Sequence, residues 1–182
     1  MKRPLLTLAL AATAIIAYAQ TSTQPAPVTR SATANLLDAK GNVVGLATLT
    51  ETTPGPVTVT VTVKDFKDLK PGEHGLHLHA TGQCAPTFAA AGGHFNPTQR
   101  QHGFTNHAGH HAGDLPNIRT DDTGSGTLTV RTSLVTLGDG PTSLNDADGT
   151  AIVLHAGPDD YHTDPAGASG DRVACGVVTM TK

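Results

Sequence analysis

The run Val57-Thr58-Val59-Thr60-Val61-Thr62-Val63 places every valine on one parity and every threonine on the other. In an extended chain alternate side chains leave opposite faces, so the run reads as an antiparallel strand with its valines on a core and its hydroxyls toward water. Similar short runs rich in Val, Thr, Leu and Ile occur at Ala32 to Leu37, Val43 to Thr50, Gly75 to Ala80, Gly126 to Thr132, Thr150 to His155 and Val173 to Thr181. Asp38-Ala39-Lys40-Gly41-Asn42, Thr53-Pro54-Gly55-Pro56, Lys70-Pro71-Gly72 and Asp122-Thr123-Gly124 supply turn residues between them. After the N-terminal segment no long stretch keeps a helical apolar period without Gly or Pro. The expected fold is all-β, a Greek-key barrel or sandwich of about eight antiparallel strands. Two long segments interrupt the spacing, Thr81 to roughly Asp122 and Gly157 to Asp171. Long loops on a rigid β scaffold usually carry function.

Toward the N-terminus the pattern changes. Lys2 and Arg3 precede an apolar run from Leu5 to Ala17, and Ala17-Tyr18-Ala19 has the small-x-small form of a signal-peptidase site. The run is shorter than the roughly 20 residues that a membrane span needs, and no later stretch is apolar enough to span. The expected organisation is a signal peptide at 1–19, a flexible Thr-, Pro- and Ser-rich leader at 20–30 and one domain at 31–182. Such a chain is exported, to a periplasm or beyond the cell. Removing residues 1–19 takes one Lys and one Arg from a balance of 12 basic and 15 acidic residues, so the net charge goes from −3 to 10 − 15 = −5. A mildly acidic chain is a poor nucleic-acid binder. Two cysteines, Cys84 and Cys175, in an exported chain are expected to pair.

Eight of the ten histidines fall between Gly72 and Asp114. On a strand His77 and His79 project to one side about 7 Å apart, close enough to share an ion, whereas His74 falls on the other face and reads as structural. His94, His102 and His111 follow, with Asp114 three residues after His111, and His155 ends the run Ala151-Ile152-Val153-Leu154. Six imidazoles and a carboxylate are too many for one tetrahedral ion, so two adjacent metals sharing a ligand is the economical arrangement. Nitrogen-rich ligation favours copper or zinc over magnesium or calcium, and the lack of Cys in the cluster argues against iron–sulfur and thiolate copper sites.

Five separate motifs carry a resemblance. They are Gly72-Glu73-His74-Gly75-Leu76-His77-Leu78-His79, Gly92-Gly93-His94-Phe95-Asn96-Pro97, His111-Ala112-Gly113-Asp114-Leu115, Val153-Leu154-His155-Ala156-Gly157-Pro158-Asp159-Asp160 and Gly170-Asp171-Arg172-Val173-Ala174-Cys175-Gly176. In this order, from about Ala32 to Lys182, the chain resembles the secreted bacterial copper–zinc superoxide dismutases. The resemblance implies copper held by His77, His79, His94 and His155, and zinc held by His94, His102, His111 and Asp114. His94 would be shared as an imidazolate and would also carry a proton to the substrate. Asp159 would accept hydrogen bonds from the outer ring nitrogens of His77 and His102. Arg172 would stand beside the copper, and His74 would brace the loops through backbone hydrogen bonds. Cys84–Cys175 matches the family disulfide.

The implied activity is dismutation of superoxide to dioxygen and hydrogen peroxide, by alternating reduction and reoxidation of copper beside a structural zinc. The substrate is a small anion and the protein is net negative, so Arg172 is expected to concentrate it. The second loop, from Asp159 to Gly167, holds no lysine to help. Two other classes compete. An extracytoplasmic copper/zinc-binding module without turnover would need neither Arg172 nor an open copper position. A zinc hydrolase lacks its His-Glu-x-x-His signature here. Bacterial relatives are monomers or dimers, and a homodimer is left open. His107 and His162 match no ligand motif, and His110 competes with His111 only by adjacency.

Overall fold

The computed structural model describes residues 26–181. The signal-peptide reading lies outside the described residues, as does most of the leader. Among the described residues there are ten strands: β1 Val28–Asp38, β2 Val43–Thr53, β3 Val57–Val63, β4 Gly72–His74, β5 Leu76–His79, β6 Ile118–Thr120, β7 Gly126–Thr132, β8 Ala151–His155, β9 Arg172–Val177 and β10 Thr179–Thr181. Eight of them form one curled antiparallel sheet in the order β5-β8-β9-β1-β2-β3-β7, with β10 on β1, and β4 pairs with β6. The fold is the expected all-β Greek-key architecture.

β3 behaves as its alternation predicts. Val57, Val59, Val61 and Val63 are buried, while Thr60 and Thr62 bond the hydroxyls of Thr129 and Thr127 on β7 at 3.1 and 3.3 Å. Cross-strand pairs of this kind on a half-exposed face each add a few tenths of a kcal/mol up to about 1. β8 is different: all five residues are buried, which matches its unbroken apolar run. Ile152 and Leu154 join the main core with Leu76, Leu78, Leu36 and Leu49, whereas Ala151 and Val153 face a smaller cluster with Ala91 and Cys175. Cys84 and Phe88 pack on that second cluster, under the Cys84–Cys175 disulfide.

Three details differ from the sequence expectations. β1 begins at Val28, so residues 28–30 of the expected leader are strand; Val28, Thr29 and Arg30 pair with Thr53, Thr52 and Glu51. An exposed valine and two polar residues concealed a pairing that the long partner strand β2 makes available. β4 and β6 are three residues each, too short to give a period, and β6 lies inside the segment read as one long loop. The single run from Val173 to Thr181 is two strands, β9 and β10, broken at Val178, whose amide donates to the Thr150 carbonyl at 2.8 Å instead of a sheet partner.

Candidate metal centre

β5 decides which face the site occupies. Leu76 and Leu78 point into the main core, so His77 and His79 point to the opposite face, where Val153 and Ala151 of β8 stand beside them in register. His155 lies on that same face two residues beyond Val153, at a register shift between β8 and β9 that sets it opposite Arg172. Bulges of this type re-aim side chains.

The first long loop comes to the free edge of β5 by main-chain bonds. The Leu78 amide donates to Gly113 O at 2.8 Å, the Phe95 amide to Leu78 O at 2.8 Å and the Ala80 amide to Gly93 O at 2.9 Å. His94 and Asp114 thereby stand beside His79 and His77. The approach is tight enough that a Cβ on Gly113 would lie 2.3 Å from Leu78 O.

Four buried histidine nitrogens converge here without a hydrogen-bond partner among the described residues: Nδ1 of His77 and Nε2 of His79, His94 and His155. Each belongs to a ring whose other nitrogen is engaged. His77 Nε2 donates to Asp159 Oδ2 at 2.7 Å, His79 Nδ1 to Gly92 O at 3.0 Å and His155 Nδ1 to Gly170 O at 3.1 Å. The engaged nitrogen fixes the tautomer, and the free lone pairs face one another, which suits a cation that accepts nitrogen donors. Burial lowers the pKa of His77 to about 3, of His79 to about 2 and of His155 to about 4, and it also lowers His94. The positive charge of Arg172 adds to the lowering at His79 and His155. Neutral imidazoles are the form a metal binds.

A second set shares His94. The Nδ1 atoms of His94, His102 and His111 lie 2.9, 3.1 and 3.2 Å from one oxygen, Asp114 Oδ1. His94 Nδ1 and His111 Nδ1 are only 3.4 Å apart. Asp114 Oδ2 is already occupied, accepting the amides of Gly103 at 3.0 Å and His111 at 3.1 Å. Burial would raise the Asp114 carboxyl, but hydrogen bonds from His102, His111 and His94 outweigh it and hold the group well below the usual carboxylate range. His102, between Asp114 and Asp159, is pushed up to about 9 against the effect of its burial. A position that would otherwise draw a proton is one that a dication fills. Within each set the donor atoms lie within 4.8 Å of one another, and all the residues are buried.

Asp159 joins the two sets. Its Oδ2 takes the His77 bond and its Oδ1 accepts His102 Nε2 at 2.9 Å. Burial opposes its ionisation, yet the bonds from His102 and His77 keep its pKa below the usual range. Gly167 makes room for it: φ is +64°, and a Cβ there would meet Asp159 Oδ1 at 1.9 Å and His102 Nε2 at 2.6 Å. Arg172 is half-buried and donates from Nη1 to Phe88 O at 2.8 Å and from Nη2 to Gly92 O at 2.7 Å. Gly92 O thus receives both His79 and Arg172.

The remaining candidates fall outside both sets. His74 is buried and bridges the carbonyls of Lys70 at 2.8 Å and His155 at 3.1 Å. His110 reaches His111 O at 2.7 Å and lies edge-on to Phe104, with ring centroids 4.4 Å apart. His107 and His162 are exposed. Asn117, Tyr161 and Gly167 surround Asp159 and were not foreseen from the sequence. One signal was available: Tyr161 is the only tyrosine after residue 18.

Comparison with known proteins is consistent with this geometry. Residues 43–178 match the family described as copper/zinc superoxide dismutase. The chain is 48% identical over 149 residues to Cu-Zn superoxide dismutase 2 of Aquifex aeolicus, covering 80% of this chain and 84% of that one. It is 41% identical to the Cu-Zn superoxide dismutase of Caulobacter vibrioides, covering 81% and 85%. Among solved structures, a superoxide dismutase-like protein from Bacillus subtilis superposes with a TM-score of 0.74 at 34% identity, over 81% of this chain and 97% of that one.

Proposed function

The chain belongs to the copper/zinc superoxide dismutase family, and from that premise we propose that it dismutates superoxide at the two-set histidine site, with copper at His77, His79, His94 and His155 and zinc at His94, His102, His111 and Asp114. The observation that carries the assignment is the convergence of four buried, unpartnered imidazole nitrogens beside a second set that shares His94. When bound, copper supplies a one-electron couple and zinc a filled-shell cation that holds its ligands without redox change.

The chain's own groups do the rest. Superoxide is an anion, and Arg172 offers a guanidinium fixed by two carbonyls next to His79 and His155, where partial burial leaves its charge poorly screened. His94 has a nitrogen in each set, so it can hold and release a proton at Nε2, on the Arg172 side, while Nδ1 stays with the second set. Two superoxide ions and two protons give one dioxygen and one hydrogen peroxide, and His94 Nε2 delivers one of those protons. Asp159 keeps the rings of His77 and His102 from turning. His74 braces the end of β8 that carries His155.

The metal-binding module without turnover is disfavoured by Arg172, whose guanidinium is held beside the first set by the Phe88 and Gly92 carbonyls and has no use in a buffer. The test is metal content together with superoxide consumption, on the wild type and on Arg172→Gln. One copper and one zinc per chain with fast turnover is expected, slowed about 10-fold or more by the substitution at low salt with both metals retained. Zinc alone without turnover would leave the binding module; an unchanged Arg172→Gln rate would remove Arg172 from the mechanism.

We further propose export, supported by the N-terminal pattern and by the Cys84–Cys175 disulfide. Among the described residues no helix is long and apolar enough to cross a membrane. Terminal sequencing of the chain recovered outside the cytoplasm should begin at Gln20; a chain retained with Met1 would refute it. Sedimentation of the mature chain distinguishes a homodimer from a monomer.

A further inference from the structure

Asp159 orients a ring in each set, so whatever orients Asp159 acts on both. The residue two positions on, Tyr161, is left-handed with φ +60°, a conformation that a bulky side chain rarely adopts and that persists where its surroundings enforce it. Its contacts show what enforces it. Its amide donates to Asp159 Oδ1 at 2.7 Å, and its carbonyl accepts both the amide of Thr105 at 3.1 Å and the Thr105 hydroxyl at 2.7 Å. Its phenol oxygen accepts the amide of Asn117 at 2.8 Å. Asn117 in turn clasps the main chain of Asp159 from both sides: the Asp159 amide donates to Asn117 Oδ1 at 2.8 Å, and Asn117 Nδ2 donates to Asp159 O at 2.9 Å.

Thr105 lies three residues after His102, and Asn117 three residues after Asp114. The circuit therefore ties the second long loop to the first at two points, on either side of the second ligand set. We propose that Tyr161 is a positioning residue whose hydroxyl, through Asn117, holds the main chain of Asp159 and so fixes the rings of His77 and His102 together. Neither Tyr161 nor Asn117 belongs to a ligand set. The proposal rests on the two-metal reading above and assigns the control of both sets to a contact outside them.

Tyr161→Phe is a narrow test, because it keeps the ring, its 5.3 Å packing on Phe104 and every main-chain bond, and removes only the acceptor for the Asn117 amide. Groups that orient metal ligands typically change affinity by about 10–100-fold when lost, and a residue one step further out should do less. Zinc affinity measured by chelator competition is expected to fall about 3–10-fold, with a shifted visible absorption of bound Cu(II) as the His77 ring relaxes. Asn117→Ala should weaken zinc by about 10-fold or more. Adding Tyr161→Phe to Asn117→Ala should then cost nothing further, because the hydroxyl acts through that clasp.

Circular dichroism and unfolding of the metal-free variants check the fold. A merely structural role would lower their stability while leaving zinc affinity and the copper spectrum unchanged, and that result overturns the proposal. Losses that multiply in the double variant overturn it too. A wild type that binds both metals beside an indistinguishable Tyr161→Phe sinks this inference alone; a wild type that binds only one metal sinks the two-metal reading and this inference with it.

Discussion

Each histidine of the first set has one nitrogen committed to the protein and one left free, and that division makes the candidate site. For His77 the committed partner is Asp159, for His79 the Gly92 carbonyl and for His155 the Gly170 carbonyl. Asp159→Asn replaces a carboxylate that accepts from two rings with an amide that can accept at only one oxygen. The expected outcome is a loss of about 10–100-fold in zinc affinity, measured by chelator competition, with secondary structure retained. The same burial predicts a pH effect on the metal-free protein. Burial holds His77, His79 and His155 in the folded chain at about 3, 2 and 4, below the usual imidazole value near 6.5, so below that pH the unfolded chain takes up protons that the folded chain refuses. His102, raised to about 9, gives up its contribution only as pH rises through that value, so it is constant in the acid window. Stability of the metal-free chain should therefore fall steadily from about pH 6.5 to pH 4 in urea unfolding; a flat profile would contradict the burial argument. The candidate ligands could be picked out in the sequence because they come in motifs with fixed spacing, and the structure groups them into two buried sets. Tyr161 and Asn117 were not, because their importance rests on a left-handed backbone and on hydrogen bonds across 42 and 44 positions, which no spacing encodes.

Among the elements, β3 and β8 show what periodicity can and cannot reveal. Alternation in β3 predicted its two faces, and the unbroken apolar run of β8 is explained by a second cluster beneath the disulfide loop. β4 and β6 escaped detection because three residues have no period, and the start of β1 because its first residues are polar or exposed. Glu51 on β2 is another feature the pattern hides. It stands on the inward parity of the strand, is 4% exposed, and accepts the Thr136 hydroxyl at 2.8 Å and the Leu137 amide at 2.9 Å. These bonds pin the loop between β7 and β8 to the barrel. Glu51→Ala leaves two donors without a partner and should cost about 1–3 kcal/mol in urea unfolding, with metal content per folded chain unchanged. A loss below about 0.5 kcal/mol would show that the loop is held by its buried Leu137 and Leu144 instead.

Across the whole molecule the site is assembled from distant parts of the chain. His77 and His79 come from β5, His94 to Asp114 from the first long loop, and His155, Asp159 and Arg172 from the last third, with the Cys84–Cys175 bond joining segments 91 residues apart beside Arg172. The barrel supplies the shared face, and the loops close over it. The central claim is that two metals share one ring, His94. Two paramagnetic ions joined by a single imidazolate couple magnetically, so the direct measurement is electron paramagnetic resonance of the chain carrying Cu(II) in the first set and Co(II) in place of zinc. Addition of one equivalent of Co(II) should abolish most of the Cu(II) signal while copper stays bound, whereas a Cu(II) signal of full intensity with both ions bound would contradict the shared ligand.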